Sequence, residues 1–199
     1  DPTVDLAFEF AVDQIRTVRA INGTNGFTLW QSTPVDWYGV RPLSAADHNG
    51  DGRDDVYAVL HAPRVYDGTS GAQLVSGTAN LNYMLPIPYD IDGNGTNEVI
   101  LTGGVDAERS YASNLSTTQW VAPDDEPLAY GAIADCPGGA VLVSGTRDNP
   151  ARYKITQLAT GARESAVLAQ GTVFADESAA LAAGAQLGTV GDVTVGSDL

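Results

Sequence analysis

A repeat of about 45 residues constrains the fold of this chain more than any other feature of its sequence. The stretch "AADHNGDGRDDVYAVL", which begins at Ala45, recurs as "PYDIDGNGTNEVILTG", so that Asp90 stands 43 residues after Asp47. A third copy, "AIADCPGGAVLVSG", keeps Asp135 a further 45 residues along, and a partial fourth copy reads "TVGDVTVGSDL". A fixed period of this length is typical of architectures in which each unit buries its apolar face against a neighbouring unit.

A second marker keeps the same period. The segments "RAINGTNGFTLWQ", "RVYDGTSGAQLVS", "YASNLSTTQWV" and "ITQLATGARESAV" each read as strand, short polar turn and strand. Gly26, Gly71 and Gly161 occupy the equivalent turn position, spaced by 45 and then 90 residues, and the remaining turn falls at 116–118. Two independent markers with one period indicate that a single unit is copied along the chain.

Within each unit the segments are short, alternating and bounded by turn residues, a pattern typical of antiparallel strands. In the second unit it predicts strands at 41–46, 56–60, 64–66 and 72–75. Four strands in about 45 residues is the size of one propeller blade. We therefore predict an all-β fold, a β-propeller of about four blades of four antiparallel strands. It is a single domain or partial propeller over 1–199, with units near 1–40, 41–84, 85–129 and 130–199.

In the Ala-rich stretch 175–186 a short helix capped by Asp176 competes with a strand.

The two ends of the sequence fall inside copies of the acidic loop. The opening "DPTVDLAFEF" matches "DGRDDVYAVL" from the middle of the loop onward, and the last residues belong to another copy. Either the two ends together complete one blade of a closed four-blade ring, which removes exposed sheet edges, or the chain is a fragment of a larger propeller.

Charge and composition exclude several classes of function. The formal net charge is -15, and only ten Lys and Arg are present, so a nucleic-acid partner is excluded and cations are the natural counterpart. Cys136 is the single cysteine, which excludes an internal disulfide and a cysteine-based zinc site. No apolar run of roughly 18 residues occurs, so membrane insertion is not expected.

The acidic loops at 47–55 and 90–98, here the first and second acidic loops, place side-chain oxygens at loop positions 1, 3, 5 and 9. Alternate residues of a tight loop point inward, so these oxygens converge at the roughly 2.3–2.6 Å that Ca²⁺ prefers. A flexible ring of oxygen ligands suits Ca²⁺ better than the smaller Mg²⁺, which requires a stricter octahedral geometry. Zinc is not expected, because no His or Cys belongs to the ligand set. The alternative is a solvated turn that merely favours Asp, Asn and Gly. We predict two structural Ca²⁺ sites, with position 7 contributing its backbone carbonyl. The predicted ligands are Asp47, Asn49, Asp51, Arg53 and Asp55 in the first loop, and Asp90, Asp92, Asn94, Thr96 and Glu98 in the second.

Strand-forming residues follow both loops, and loop position 12 is Ala58 or Leu101, which separates them from EF-hand and dockerin loops. "DHNGDGRDD" and "DIDGNGTNE" resemble the loops of FG-GAP or VCBS repeats in integrin-type β-propellers. In that family a D-x-D-x-D-G-x-x-D loop joins the first two strands of a blade and binds calcium. "DCPGGA" and "DVTVGSD" depart from the motif, so we assign metal to neither.

The resemblance implies a calcium-stabilised β-propeller that acts as a binding, adhesion or scaffold module. Extracellular sites of this kind fill at roughly 10⁻⁴ to 10⁻³ M calcium, which favours a secreted or cell-surface protein, extracellular or periplasmic. Its partner would be a protein or glycan ligand, or the remainder of a larger chain. The alternatives are a carbohydrate-active enzyme, either a polysaccharide lyase or a hydrolase, and a lectin-like glycan-binding propeller. A non-catalytic module is favoured, because neither His48 nor His61 has a serine or cysteine in a recognised nucleophile setting.

Three aromatic positions outside the loops have their own interpretations. Trp30 and Trp120 fall at the same place in their repeats, four residues beyond the turn position, and are predicted to pack between blades. Trp37, with Tyr38, lies in a connection between units, where the pair could line a sugar or peptide site.

Overall fold

The computed structural model describes residues 5–12, 15–36, 42–81, 84–104, 106–123, 131–146 and 152–167. Within these ranges every regular element is a β-strand, so the prediction of an all-β fold is confirmed for them. The stretch 175–186, the connection holding Trp37 and Tyr38, and the fourth copy of the loop lie outside the described residues.

Sixteen strands form four antiparallel sheets, each drawn from one continuous stretch of chain. Sheet 1 contains β1 (Leu6–Val12), β2 (Ile15–Ile21), β3 (Thr28–Gln31) and β4 (Val35–Asp36). Sheet 2 contains β5 (Ser44–Ala46), β6 (Asp55–Leu60), β7 (Ala62–Tyr66) and β8 (Gln73–Ser76). Sheet 3 contains β9 (Leu85–Tyr89), β10 (Glu98–Thr102), β11 (Arg109–Tyr111) and β12 (Thr118–Val121). Sheet 4 contains β13 (Ala132–Ala134), β14 (Val141–Gly145), β15 (Arg152–Gln157) and β16 (Arg163–Val167).

Sheets 2, 3 and 4 are simple meanders, in which each strand pairs with the next strand in the chain. Sheet 1 differs, because both β3 and β4 pair with β2. β3 pairs near Arg19 and β4 pairs with Ile15 and Arg16, so the two short strands follow one another along a single edge of β2. The described part of sheet 1 therefore has three strand positions.

The strands predicted for the second unit are confirmed with shifted ends. The segments predicted at 56–60 and 64–66 extend to Asp55–Leu60 and Ala62–Tyr66, and the outer strand shifts to Gln73–Ser76. A register shift recurs at the same place in three sheets, at Ala20/Ile21, Val65/Tyr66 and Ser110/Tyr111. In each case one extra residue, Leu29, Leu74 or Gln119, lies on the strand that follows the turn, as in a β-bulge, and its recurrence every 45 residues supports the repeat.

The sheets pack face to face in chain order, and the core lies between them. One apolar cluster joins sheet 1 to sheet 2, a second joins sheet 2 to sheet 3, and a third joins sheet 3 to sheet 4. β6 contributes to two clusters, with Ala58 facing sheet 1 while Tyr57 and Val59 face sheet 3. Every residue of β6 and of β10 is buried, because these strands are covered on both faces and therefore carry continuous apolar runs.

Two tryptophans occupy equivalent places between sheets, as predicted. The indole N–H of Trp30 donates to the Gly68 carbonyl at 2.8 Å, and that of Trp120 donates to the Leu158 carbonyl at 2.6 Å. Each donor and acceptor are 38 residues apart, and both rings are buried. The prediction that these tryptophans pack between units is confirmed.

Sheets 3 and 4 also share a buried polar network. The Glu108 carboxylate is fully buried and pairs with the Arg163 guanidinium. Thr102 donates to the same carboxylate, as does Ser144 at 3.2 Å, and Arg163 donates through Nε to the Thr156 hydroxyl at 2.9 Å. Two hydroxyl donors and one cation thus satisfy a carboxylate that would otherwise be costly to bury.

Candidate metal centre

The second acidic loop brings three of its predicted ligands together. Carboxylate oxygens of Asp90, Asp92 and Glu98 lie within 4.8 Å of one another. Asp92 is exposed, Asp90 is half-buried and Glu98 is buried. Among the residues that the structure describes, no other three His, Cys, Asp or Glu side chains converge in this way.

Hydrogen bonds to backbone N–H groups fix the winding of this loop. Asp90 accepts from the Asn94 N–H at 3.0 Å and from the Gly95 N–H at 2.8 Å. Asp92 accepts from the Asn94 N–H at 3.1 Å, and the Asn94 side-chain carbonyl accepts from the Thr96 N–H at 2.8 Å. The side chains at loop positions 1, 3 and 5 are therefore folded back over the loop's own backbone.

The first acidic loop winds in the same way, position for position. Asp47 accepts from the Gly52 N–H at 2.8 Å and from the Asp51 N–H at 3.2 Å. The Asn49 side chain accepts from Asp51 at 2.9 Å, and Asp51 accepts from the Arg53 N–H at 2.9 Å. Positions 4 and 6 have positive φ in both loops, and all four are glycines, the residue that adopts this conformation without strain. They are Gly50 (78°) and Gly52 (83°) in the first loop, and Gly93 (74°) and Gly95 (85°) in the second.

Position 9 closes the base of each loop. Asp55 is 1% exposed, and its two oxygens accept from the His48 N–H and the Gly68 N–H, each at 3.0 Å. Glu98 is 4% exposed and accepts from the Ile91 N–H at 2.9 Å. In both loops the residue at position 9 thus bonds to the N–H of position 2. A buried carboxylate at this place anchors the loop to the first residue of the following strand.

The two loops differ in how far their ligands converge. Asp47, Asp51 and Asp55 do not form a group of the kind found in the second loop, whose position 3 is Asp92 rather than an asparagine. The Arg53 guanidinium donates to the Thr69 hydroxyl at 2.9 Å. Because a guanidinium has no acceptor atom, only the backbone carbonyl of Arg53 could bind a cation. The carboxylates of the second loop at positions 1, 3 and 9 converge, whereas the three carboxylates of the first loop do not.

A counterpart of position 9 also occurs in sheet 1. Asp5 accepts from the Gly23 N–H at 3.0 Å, as Asp55 accepts from the Gly68 N–H. Each carboxylate stands at or just before the start of a strand and holds the turn between the next two strands. The alignment of "DPTVDLAFEF" with "DGRDDVYAVL" had matched these two aspartates, but sequence alone assigned no role to Asp5.

Asn97 connects the two acidic loops, a feature that sequence reasoning missed. Its side-chain N–H donates to the Asp47 backbone carbonyl at 3.0 Å. The buried Tyr57 hydroxyl lies 3.0 Å from His48 Nδ1, and the nearby Asn97 side chain acts to lower the pKa of this hydroxyl against the larger effect of burial. His48 packs edge-on against Tyr57, with ring centroids 5.7 Å apart, so its ring is turned to Tyr57. No signal in the sequence pointed to Asn97, because the same position in the first loop is Asp54.

Electrostatics favour an ionised Asp47. Its hydrogen bond from the Gly52 N–H, helped by those from Gly50 and Asp51, lowers the pKa of the Asp47 carboxyl against a smaller opposing effect of burial. Burial, with the nearby charge of Asp55, raises the pKa of the Tyr57 hydroxyl well above its usual value. At neutral pH the site therefore presents a carboxylate at loop position 1 next to a neutral phenol.

The third copy of the loop is linked to sheet 3. The Tyr89 hydroxyl donates to the Asp135 carboxylate, and this hydrogen bond raises the pKa of Tyr89. Tyr89 ends β9, immediately before the second acidic loop. Asp135, the acidic residue retained in "DCPGGA", thus bonds to the neighbouring sheet.

Comparison with known proteins supports the fold and does not identify a family. No protein-family model matches, and no curated protein matches. No helix long and apolar enough to span a bilayer occurs among the described residues. Solved structures do match, and one of them is the crystal structure of the computationally designed Ika8 protein, with a TM-score of 0.55 at 12% identity. The alignment covers 79% of this chain and 47% of that one, so this chain spans about half the length of the designed protein it is similar to.

Proposed function

We propose that this chain is a calcium-stabilised β-propeller, or part of one, that acts as an extracellular binding, adhesion or scaffold module. The observation that carries the proposal is the equivalence of the two acidic loops. Both place oxygen-bearing side chains at positions 1, 3, 5 and 9, both have positive-φ glycines at positions 4 and 6, and both use position 9 to close the loop. Such a pattern of hard oxygens suits Ca²⁺.

The propeller arrangement is supported by the four sheets of related topology that pack face to face in chain order. The Trp30 and Trp120 contacts repeat the same packing between different pairs of sheets. A closed four-blade ring leaves no sheet face unpaired and should remain monomeric in solution. Part of a larger propeller should expose terminal sheet faces and self-associate with rising concentration, which analytical ultracentrifugation would detect.

The role proposed for calcium is structural. The second loop gathers carboxylates that repel one another, and backbone N–H groups hold the aspartate at position 1 of both loops. A divalent ion bound by Asp90, Asp92 and Glu98, with Asn94 and the Thr96 carbonyl, would offset this repulsion. An equivalent set in the first loop would be Asp47, Asn49, Asp51, Asp55 and the Arg53 carbonyl. Because the ion binds the folded loop, its binding free energy adds to folding stability.

The proposed location follows from the affinity expected of such loops. If they bind with dissociation constants of roughly 10⁻⁴ to 10⁻³ M, they fill at extracellular calcium levels but not in a calcium-poor cytosol. A secreted or cell-surface protein fits this range. The proposed partner is a protein or a glycan, since a net charge of -15 repels nucleic acid.

Metal analysis combined with thermal unfolding tests the proposal. We expect two calcium ions per chain in protein equilibrated with excess CaCl₂ and a lower melting temperature in excess EGTA, with recovery on adding CaCl₂. MgCl₂ at the same concentration is the control and should restore little, because Mg²⁺ requires a tighter octahedral site. An unchanged melting curve in EGTA would rule out the structural role of calcium. Release of products from polysaccharides would instead favour the enzymatic alternative.

A further inference from the structure

One side chain lies between the two acidic loops. Asn97 precedes Glu98, whose carboxylate belongs to the convergent group of the second loop. Its amide donates at 3.0 Å to the backbone carbonyl of Asp47, the residue that opens the first loop. One hydrogen bond, between residues 50 positions apart, therefore joins a predicted ligand residue of the first loop to the sequence neighbour of a predicted ligand of the second.

The core holds this bridge in place. Tyr57 is 1% exposed and belongs to the apolar cluster between sheets 2 and 3. Its hydroxyl lies 3.0 Å from His48 Nδ1 in the first loop and is close to the Asn97 side chain. Because Asn97 is half-buried, lies beside this core residue and bonds to the Asp47 carbonyl, we expect a shift of the second loop to move the backbone of the first loop.

We propose that Asn97 couples the two loops, so that calcium binding at the second loop tightens calcium binding at the first. The coupling rests on the proposed function, because it assumes that both loops bind the ion. A filled second loop fixes Glu98 and its neighbour Asn97, which then holds the Asp47 carbonyl in place. The first loop therefore loses less conformational entropy when it binds. By linkage, an ion in the first loop strengthens binding at the second by the same factor.

NMR titration of the full chain with calcium alone tests the coupling. The amides of Gly50 and Gly52 report on the first loop, and those of Gly93 and Gly95 report on the second. Asp92→Asn weakens the second loop without touching the first. We expect the calcium affinity of the first loop to fall by about fivefold or more in this variant, the lower end of typical coupling between sites.

Removing the bridge should abolish this effect. In Asn97→Ala, the first loop should bind with equal affinity whether or not Asp92→Asn is also present. Asn97→Asp is a second variant of nearly the same size that lacks the N–H donor, and it should behave in the same way. Asn114→Ala is the matched control, because Asn114 is an exposed asparagine in the turn after β11, and it should leave the coupling intact.

The outcomes separate the coupling from the proposed function. If both loops bind calcium and Asp92→Asn leaves the first loop's affinity unchanged, the coupling is wrong and the calcium sites stand. If the coupling survives in both Asn97 variants, Asn97 does not carry it. If neither pair of glycine amides responds to calcium, the proposed function fails and the coupling fails with it.

Discussion

The indole ring of Trp30 lies directly over Gly71, so close that a Cβ on this glycine would come within 2.6 Å of the ring. Trp120 lies over Gly161 in the same way, with a closest approach of 2.7 Å. Both glycines also have positive φ, at 72° and 71°. In the interface between sheets 2 and 3 the tryptophan position is Val75 and the turn position is Ser116. There the buried Leu115 joins the apolar cluster against which Val75 packs. A tryptophan therefore occurs where the facing turn residue on the next sheet is glycine, and a smaller side chain occurs where that residue is serine.

Gly71→Ala should destabilise the protein through both backbone strain and overpacking. Gly26→Ala is the matched control, because Gly26 has φ of 73° in the equivalent turn and no atom within 4 Å of the added carbon. Urea unfolding should give a loss of about 1 kcal/mol for Gly26→Ala, which strain alone explains. The loss for Gly71→Ala should be larger by about 1–3 kcal/mol, the usual cost of overpacking. Equal losses would mean that the Trp30 contact imposes no constraint.

Trp30→Phe should destabilise the contact between sheets 1 and 2 by about 1–3 kcal/mol, because it removes the indole donor and leaves the Gly68 carbonyl with one partner fewer. Trp120→Phe removes the equivalent hydrogen bond to Leu158 and should cost a similar amount. Chemical unfolding of both variants measures the two losses. A large difference between them would contradict the equivalence of the two interfaces.

Glu108→Gln should destabilise the protein by about 3–5 kcal/mol, because it leaves the buried Arg163 guanidinium without its counter-charge. Replacing both residues, as in the double variant Glu108→Leu with Arg163→Met, should cost less than the sum of the two single changes, since no unpaired charge remains. Urea unfolding of Glu108→Leu, Arg163→Met and the double variant completes the cycle. Additive losses would show that the pair is not coupled.

Asp47→Ala should remove one of two bound calcium ions, since Asp47 occupies position 1 of the first loop. Asp54→Ala is the control, because Asp54 lies in the same loop, is exposed and falls outside the ligand positions. Equilibrium dialysis against CaCl₂ well above the expected dissociation constants should find about one bound ion per chain in the first variant and two in the second. Two ions in Asp47→Ala would overturn the ligand assignment.

The turn after β7, which contains Asp67, should contribute to the pH dependence of the protein's stability. The Ser70 hydroxyl, followed by the Ser70 N–H, lowers the pKa of Asp67 below its usual 3.8. A carboxyl whose pKa is depressed in the folded state adds stability above its unfolded pKa, and this contribution is lost as pH falls through the folded value. Ser70→Ala should therefore raise the pKa of Asp67 and flatten the loss of stability below pH of about 4. An NMR titration of Asp67 that is unchanged by the substitution would contradict this account.

The features that recur in more than one repeat could be predicted from the sequence. The spacing of "DHNGDGRDD" and "DIDGNGTNE" predicted two loops between strands, and the structure places both between the first two strands of a sheet. Trp30 and Trp120 were recognised as equivalent for the same reason. Periodicity identifies a position by its counterparts, so it finds the elements that every unit needs for packing against its neighbours.

The features that occur only once could not be predicted from the periodicity of the sequence. The counterparts of Glu108 and Arg163 one period earlier are Pro63 and Thr118, so no pattern marked the ion pair. Asn97 reaches Asp47 only because sheets 2 and 3 pack together, which brings loops 50 residues apart into contact. The convergence of the second loop's carboxylates likewise depends on side-chain directions that the motif leaves open.

The burial of β6 on both faces has a consequence for folding fidelity. A slip of one residue along "DVYAVL" would exchange the two faces of the strand, and both would still be apolar, so hydrophobic burial penalises the wrong pairing only weakly. Asp55 at the head of the strand has no such freedom. Its carboxylate bonds to His48 in the preceding loop and to Gly68 in the following turn, and a slipped strand would lose both partners in a buried place. Asp55 thus sets the register of β6, which the apolar residues of the strand do not specify.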